Sequence, residues 1–309
     1  MPGGGARAAG AFPEVVVIVK RTSYRRFVIE KRDRAVRGLL RDGNPAVRTL
    51  RRSHDDHEAT CAATLESLAK LGVTHEVRSV DDEAPIVGAR LVVTVGGDGT
   101  LLAASHLVGG GVPVVGINSS PRSSVGFFCA GKKGREPAIL RAALAGDLAR
   151  VELTRMRVER NDTALSTRVL NEALFCHASP AATSRYILCV RPRRGRPEVE
   201  EQRSSGVWVG PAAGSTAAQR SAGGRILPLT SPDLQYVVRE PYTPLGGTLA
   251  MRKGLVRRGA TLELVNKMHE AKLFLDGQTR VFDVRYGDRI AMLASEEPLT
   301  VLGLVRRKW

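Results

Sequence analysis

The chain has 309 residues, 43% hydrophobic and 25% charged, with 47 Lys and Arg against 31 Asp and Glu and a formal net charge of +16. That apolar content supports a sizeable core and excludes a mainly disordered or fibrous chain, and the length allows one large or two modest domains. The positive balance favours anionic partners, but it comes from 38 arginines and nine lysines in an Ala- and Gly-rich chain and selects no particular polyanion.

In chain order, residues 1–13 (MPGGGARAAGAFP) are expected to form a disordered leader without the apolar stretch of a signal peptide. Residues 14–20 (EVVVIVK) are a continuous β-branched run of the kind found in buried parallel strands. Asn44 and Pro45 open a helical pattern that runs to about Leu71, with Val47, Leu50, Cys61, Leu65 and Leu68 on one face and Gly72 closing it. Strands are predicted at 74–78 and 90–95, then a tight turn at 96–99, a short helix at 100–107 and a strand at 113–117. This alternation predicts an α/β domain with a parallel, doubly wound sheet. A helix from about Arg135 leads to a boundary near 146–150. Beyond it, short alternating segments at 151–159, 167–176, 186–191, 261–265 and 272–276 predict a β-rich second domain.

Cys61, Cys129, Cys176 and Cys189 are widely spaced with no C-x-x-C, so a reduced, cytoplasmic compartment is expected. The longest apolar run, 107–117, is short and broken by Gly and Pro, so no membrane span is predicted.

The most informative segment is 92–102, VVTVGGDGTLL. Small residues at the carboxyl end of a parallel strand, followed at once by a helix, turn backbone N–H groups and a helix N-terminus toward an anion. Ligands of open α/β sheets bind at that edge. A carboxylate among phosphates repels them unless a proton transfer or a metal justifies it, so Asp98 is a candidate base or metal-side ligand. A G-G-D-G hairpin is the plainer alternative, but it needs a second strand where the sequence predicts helix.

Three later clusters carry polar groups. Asn171 and Glu172 lie in the apolar run 169–175, where a strand would bury them at a cost unless they meet partners. Residues 210–224 (GPAAGSTAAQRSAGG) hold Ser215 and Thr216, which helix N-capping would also explain. Asp276-Gly277-Gln278 sits between two β segments and fits a hairpin turn.

Taken together, VGGDGTLL (95–102), GIN (116–118), NE (171–172), GSTA with SAGG (214–217, 221–224) and DGQ (276–278) resemble the NAD kinase family, in family order and over nearly the whole chain from Glu14. The GGDGT segment alone is shared with diacylglycerol, sphingosine and phosphofructokinase relatives, so the alternatives are a lipid kinase or a non-catalytic nucleotide-binding protein. The resemblance implies a NAD kinase/diacylglycerol kinase-like fold, with an α/β domain at 14–148, a β-rich dinucleotide-binding domain at 149–290 and a segment at 291–309 that returns to the first domain. It implies ATP-dependent phosphorylation of the adenosine-ribose 2′-hydroxyl of NAD or NADH, hence NADP biosynthesis, with Mg²⁺ accompanying ATP. Asp98 would be the base, with Gly96, Gly97 and Gly99 letting the backbone approach the phosphates and Thr100 and Asn118 among the nucleotide-binding residues. Asn171 and Glu172 would bind adenosine, with Gly214, Ser215, Thr216, Ala217 and Ser221 lining the dinucleotide pocket and Ser184, Arg203, Ser205 and Gln278 nearby. A homo-oligomer, dimer or tetramer, is also implied.

Two positions depart from many bacterial members, which have Asp-Gly and Thr-Ala-Tyr where this chain has Ser205-Gly206 and Thr216-Ala217-Ala218. Residues 179–186, 204–206 and 234–241 resemble the branch that includes plant NADH kinases and mitochondrial NAD kinases. That makes NADH a substrate candidate.

Other features are not assigned to sites. His54-Asp55-Asp56-His57-Glu58 is expected to be a solvated helix face with i,i+4 ion pairs. The arginine-rich segment 191–197 is expected to be a loop and, lacking interleaved aromatics, not a nucleic-acid surface. His177 is expected to be a satisfied core histidine.

Overall fold

The computed structural model describes residues 13–243 and 247–304; the expected leader, apart from Pro13, and the last five residues of the expected C-terminal segment lie outside the described residues. The chain up to Val151, together with the segment from Thr300, makes one compact unit, and Glu152–Leu299 makes a second.

The first unit contains β1 (Val15–Val19), a π-helical turn (Arg25–Glu30), α1 (Arg34–Arg41), a 3-10 turn (Pro45–Val47), α2 (Leu50–Lys70), β2 (His75–Ser79), β3 (Leu91–Gly96), α3 (Asp98–Ser105), β4 (Val114–Asn118), β5 (Cys129–Lys132), α4 (Glu136–Ala145) and β6 (Arg150–Leu153). The second contains β7 (Met156–Arg160), β8 (Thr163–Val169), β9 (Ala173–His177), β10 (Ser184–Arg191), β11 (Glu198–Ser204), β12 (Val207–Pro211), a 3-10 turn (Ala212–Thr216) and the single-turn α5 (Ala218–Ser221). It continues with β13 (Leu234–Val238), β14 (Lys253–Val256), β15 (Thr261–Asn266), β16 (Ala271–Leu275), β17 (Arg280–Val284) and β18 (Arg289–Ala294), and β19 (Leu299–Leu302) carries the chain back.

The first unit is built on a seven-stranded sheet of order β2-β1-β3-β4-β19-β6, with β5 also paired to β4. The pairs β1–β2, β1–β3, β3–β4, β4–β5 and β4–β19 are parallel. Val15, Val16, Val17 and Ile18 are all buried, because helices cover both faces of such a sheet. Val15, Val17, Val93, Val95, Val115 and Ile117 share one apolar cluster with Leu68 of α2 and Leu140 of α4. The registers Val19 to Val95 and Gly96 to Asn118 align the carboxyl ends of β1, β3 and β4. This common edge is where the glycine loop begins.

The second unit is two six-stranded antiparallel sheets, β11-β10-β15-β18-β7-β8 and β14-β13-β12-β9-β16-β17. Alternate residues of both, including Val158, Phe175, Tyr186, Val207, Leu264 and Leu273, enter one core, where Phe175 and Tyr186 pack edge to face with centroids 5.4 Å apart.

Several expected elements are corrected. Residues 20–44 contain the π-helical turn and α1, which Asp33 caps through the Ala35 and Val36 amides at 2.9 and 3.1 Å. The helix expected from Asn44 is a capped 3-10 turn followed by α2. The strand expected at 151–159 is interrupted at Thr154-Arg155, and the one at 167–176 at residues 170–172. The first break carries Arg155, fully buried, whose Nε donates to the Glu297 carbonyl at 2.6 Å. Within the second unit it ties the outgoing chain to the returning one.

Candidate active site

In the first unit, β3 ends at Gly96 and α3 begins at Asp98, so the glycine loop is one residue, Gly97, with extended backbone as the helix N-cap. No side chain caps α3. The Thr100 amide donates to the Gly97 carbonyl at 3.0 Å, which leaves the Asp98 and Gly99 amides at the start of the helix, with Asp98 at the positive end of the helix dipole. The sequence started this helix two residues later, at Thr100. The hairpin alternative is excluded, since β3 pairs in parallel with β4.

A Cβ at Gly97 would overlap the Ser124 hydroxyl, so the loop that follows β4 packs directly on the glycine turn. Gly96 lies against Thr100 in the same way, whereas Gly99 is exposed and faces open space. Asp98 is half-buried, and the Phe128 amide donates to its Oδ1 at 2.8 Å. Asn118 spends its side chain inside its own loop: Nδ2 donates to the Ser124 carbonyl at 3.0 Å, and Oδ1 accepts from the Ser120 amide at 3.1 Å. Burial, and then the nearby charge of Asp98, push the Cys129 thiol up to about 12. Its thiol is therefore inert at neutral pH.

In the second unit, Asn171 and Glu172 lie in the gap between β8 and β9, not within a strand as the apolar run suggested. Asp276 holds that gap. Its Oδ2 accepts from the Leu170 amide at 2.8 Å and its Oδ1 from the Asn171 and Glu172 amides at 2.6 and 3.1 Å, while its own amide donates to the Glu172 carbonyl at 2.9 Å. DGQ is thus a hairpin turn between β16 and β17 whose aspartate orders a segment about a hundred residues away. Gln278, the member of that motif expected near the ligand, is exposed in the turn.

Asn171 Oδ1 and Glu172 Oε2 are buried and make no hydrogen bond within the protein. Burial, and the nearby charge of Asp276, push the Glu172 carboxyl up to about 7. Two buried acceptors left open side by side are costly unless a ligand meets them.

The stretch 210–224 wraps the same segment. A Cβ at Gly214 would overlap the Asn171 carbonyl, and Gln219 Nε2 donates to that carbonyl at 3.4 Å. Gln219 Oε1 in turn accepts from Gln235 Nε2 at 3.0 Å. Ser215 is not a helix cap: it is fully buried, its hydroxyl donates to the Ala212 carbonyl at 2.7 Å and accepts from the Leu227 amide at 3.0 Å. Neither does Thr216 cap, because Ala217 is the N-cap of α5 and no side-chain cap bond is made there. Thr216 and Ala217 are half-buried and Ser221 is exposed.

The remaining expected residues are more scattered. Ser184 is buried, and its hydroxyl accepts from the His177 amide at 2.9 Å. Ser205 is half-buried, exchanging backbone and side-chain hydrogen bonds with Arg239, which also lies over the Trp208 ring. Arg203 is exposed on β11. His177 is half-buried at the end of β9 and accepts from the Ser179 amide, so it is not a core residue.

The comparisons with known proteins bear on this geometry. The family model described as the ATP-NAD kinase N-terminal domain matches residues 42–136, which span the glycine loop. A probable NADH kinase of Oryza sativa subsp. japonica is 36% identical over 239 residues, 72% of this chain and 73% of that protein. The chain belongs to the NAD kinase family. Its fold is that of the family too. A yeast NADH kinase solved with NADH superposes with a TM-score of 0.69 at 16% identity over 96% of this chain and 85% of that one, and an Archaeoglobus fulgidus NAD kinase solved with ATP with 0.63 at 20% over 94% of each. At those identities the likeness is one of fold.

Sequence reasoning about a NAD kinase passed over Asp276, Ser124, Gln219, Gln235 and the Phe128 amide. Only Asp276 had a signal of its own, the aspartate of DGQ. The expected solvated face at 54–58 is also corrected: His54 and His57 are buried, with His54 Nδ1 2.9 Å from Thr22 Oγ1 and its ring stacked on Tyr24.

Proposed function

We propose that this chain transfers the terminal phosphoryl group of ATP to the adenosine-ribose 2′-hydroxyl of NAD or NADH, giving NADP or NADPH. The observation that carries it is Asp98, at the open N-terminus of α3 beside an exposed glycine, in a chain of the NAD kinase family. Phosphoryl transfer asks for positioning and charge neutralisation more than covalent chemistry. The Asp98 and Gly99 amides at the start of α3 and the backbone at Gly96 and Gly97 supply the first. With Oδ1 held by the Phe128 amide, Asp98 Oδ2 orients the acceptor hydroxyl and takes its proton as the new bond forms. The open acceptors of Asn171 and Glu172 suit the donors of an adenosine, an amino group and ribose hydroxyls.

Among the described residues no group of three or more His, Cys, Asp and Glu is arranged to hold a metal ion. Mg²⁺ accompanying ATP would be held mainly by the substrate phosphates and water, which leaves Asp98 to its role as base. Held so, Mg²⁺ would neutralise phosphate charge. The absence of a carboxylate at Ser205 and of an aromatic at Ala218 supports NADH as a substrate at least equal to NAD, as do the names of the plant and yeast relatives.

The four free cysteines support a reducing, cytoplasmic setting, and no described helix is long and apolar enough to cross a membrane. Family resemblance supports a homo-oligomer.

The decisive assay supplies ATP and Mg²⁺ with NAD or NADH and reads NADP(H) enzymatically. Asp98→Asn is expected to lower kcat by roughly 10²- to 10⁴-fold, the range for a lost general base, with dinucleotide affinity retained. Wild-type turnover in that variant removes the base role, and a strong preference for NAD overturns the assignment of Ser205 and Ala218.

A further inference from the structure

α2 presents His57, only 1% exposed, to the carboxyl ends of two strands. Nδ1 lies 3.1 Å from Ser119 Oγ, just past β4, and the ring lies close to Lys20, just past β1. In the sheet those two strands flank β3, whose end is Gly96. The Ser119 hydroxyl gives or takes the hydrogen bond with Nδ1 according to the ring tautomer. Cys61 Sγ, 3.5 Å from Nε2, closes the remaining side.

Ser119 is joined to the glycine turn by its amide, which donates to the Gly96 carbonyl at 2.9 Å. Two further contacts run from α2 to the same region: Ser53 Oγ is 3.1 Å from Ser120 Oγ, and Asp56 pairs with Lys133. The loop that starts at Ser119 carries Ser124, packed on Gly97, and ends at Phe128, whose amide holds Asp98.

We propose that His57 is a positioning residue for phosphoryl transfer, a hydrogen-bonded strut from α2 that fixes Ser119 and, through the 119–128 loop, the alignment of Asp98 with the glycine turn. The proposal rests on the kinase activity put forward above. Burial first, then the neighbouring Lys20 charge, push the imidazole down to about 4 against a smaller opposing effect of Glu58, with His54 adding to the lowering. The ring therefore stays neutral at physiological pH, with one nitrogen donating and the other accepting.

The test compares full-length wild type with His57→Phe, His57→Asn and Ser119→Ala, measuring kcat with ATP, Mg²⁺ and NAD or NADH, and dinucleotide Kd by calorimetry. Phe fills the imidazole volume without a hydrogen-bonding nitrogen, while the Asn amide puts a polar atom close to the place of Nδ1. The kcat of His57→Phe is expected to fall roughly 10- to 100-fold, the order seen when reacting groups shift by about 1 Å. Its Kd changes less than about threefold, because the interaction is felt in the transition state and not in binding. His57→Asn recovers most of the lost kcat. Ser119→Ala, a change too small to threaten folding, moves kcat in the same direction and decides the matter if His57→Phe does not fold. Unchanged kcat in folded His57→Phe or in Ser119→Ala overturns the proposal, and so does a joint loss of kcat and affinity that Asn leaves unrepaired. An inactive wild type is a separate failure that sinks the kinase activity and this role with it.

Discussion

Glu172 and Asp276 are neighbouring carboxylates with opposite circumstances. Asp276 is satisfied by three amides, whereas Glu172 keeps a buried oxygen without a partner. Folding raises the Glu172 pKa from 4.5 to about 7, so protonation favours the fold, fully below the unfolded value and not at all once pH has risen past the folded one. Ligand hydroxyls bond more strongly to the ionised carboxylate than to the neutral acid. Dinucleotide affinity is therefore expected to rise as pH climbs from about 6 to about 8, and Glu172→Gln to flatten that dependence, as calorimetry across the range would read. A flat wild-type profile removes Glu172 from the ligand. The polar pair was legible in the sequence because two such residues in an apolar run demand partners. Asp276 was not, since an Asp-Gly turn looks the same whether its carboxylate faces solvent or three distant amides.

At the scale of elements, α2 shows how far periodicity goes. Val47, Leu50, Cys61, Leu65 and Leu68 were expected on one face, and Leu68, Cys61 and Leu65 do pack on the core, but the buried residues also include the polar His54, His57, Thr60, Thr64 and Ser67. The hydroxyls of Thr60, Thr64 and Ser67 bond carbonyls four residues back, which lets a polar face be buried without outside partners. A hydropathy pattern reads such a face as solvent-exposed. The stretch 210–224 was readable only as small residues, because what demands them is the Asn171 carbonyl passing overhead. Gly214→Ala is accordingly expected to destabilise the protein by about 1–3 kcal/mol in denaturant melts and to weaken dinucleotide binding. Gly38→Ala is the contrasting case: nothing lies within 4 Å of its added Cβ, so it should be neutral or stabilise α1 by about 0.5–1 kcal/mol.

For the whole molecule, the +16 charge works at a distance. Many of the arginines are on the surface and several pair with acids, including Arg191 with Glu263 and Arg257 with Asp233. The excess should draw ATP and a dinucleotide toward the protein by long-range attraction, screened beyond about 10 Å at 0.1 M salt. KM for both substrates is expected to rise a few-fold as ionic strength goes from about 0.05 to about 0.3 M, with kcat little changed. A KM indifferent to salt would make the charge irrelevant to capture. By itself the sequence determined that the chain is globular, that its first part is a parallel α/β sheet and its second part β-rich, and which ordered motifs it shares with NAD kinases, because periodicity and glycine placement are written locally. Tertiary structure alone decided where the strands break, which aspartate orders Asn171 and Glu172, and that His57 is buried between two strand ends. Those outcomes depend on groups far apart in the chain meeting in space, and local composition carries no record of such meetings.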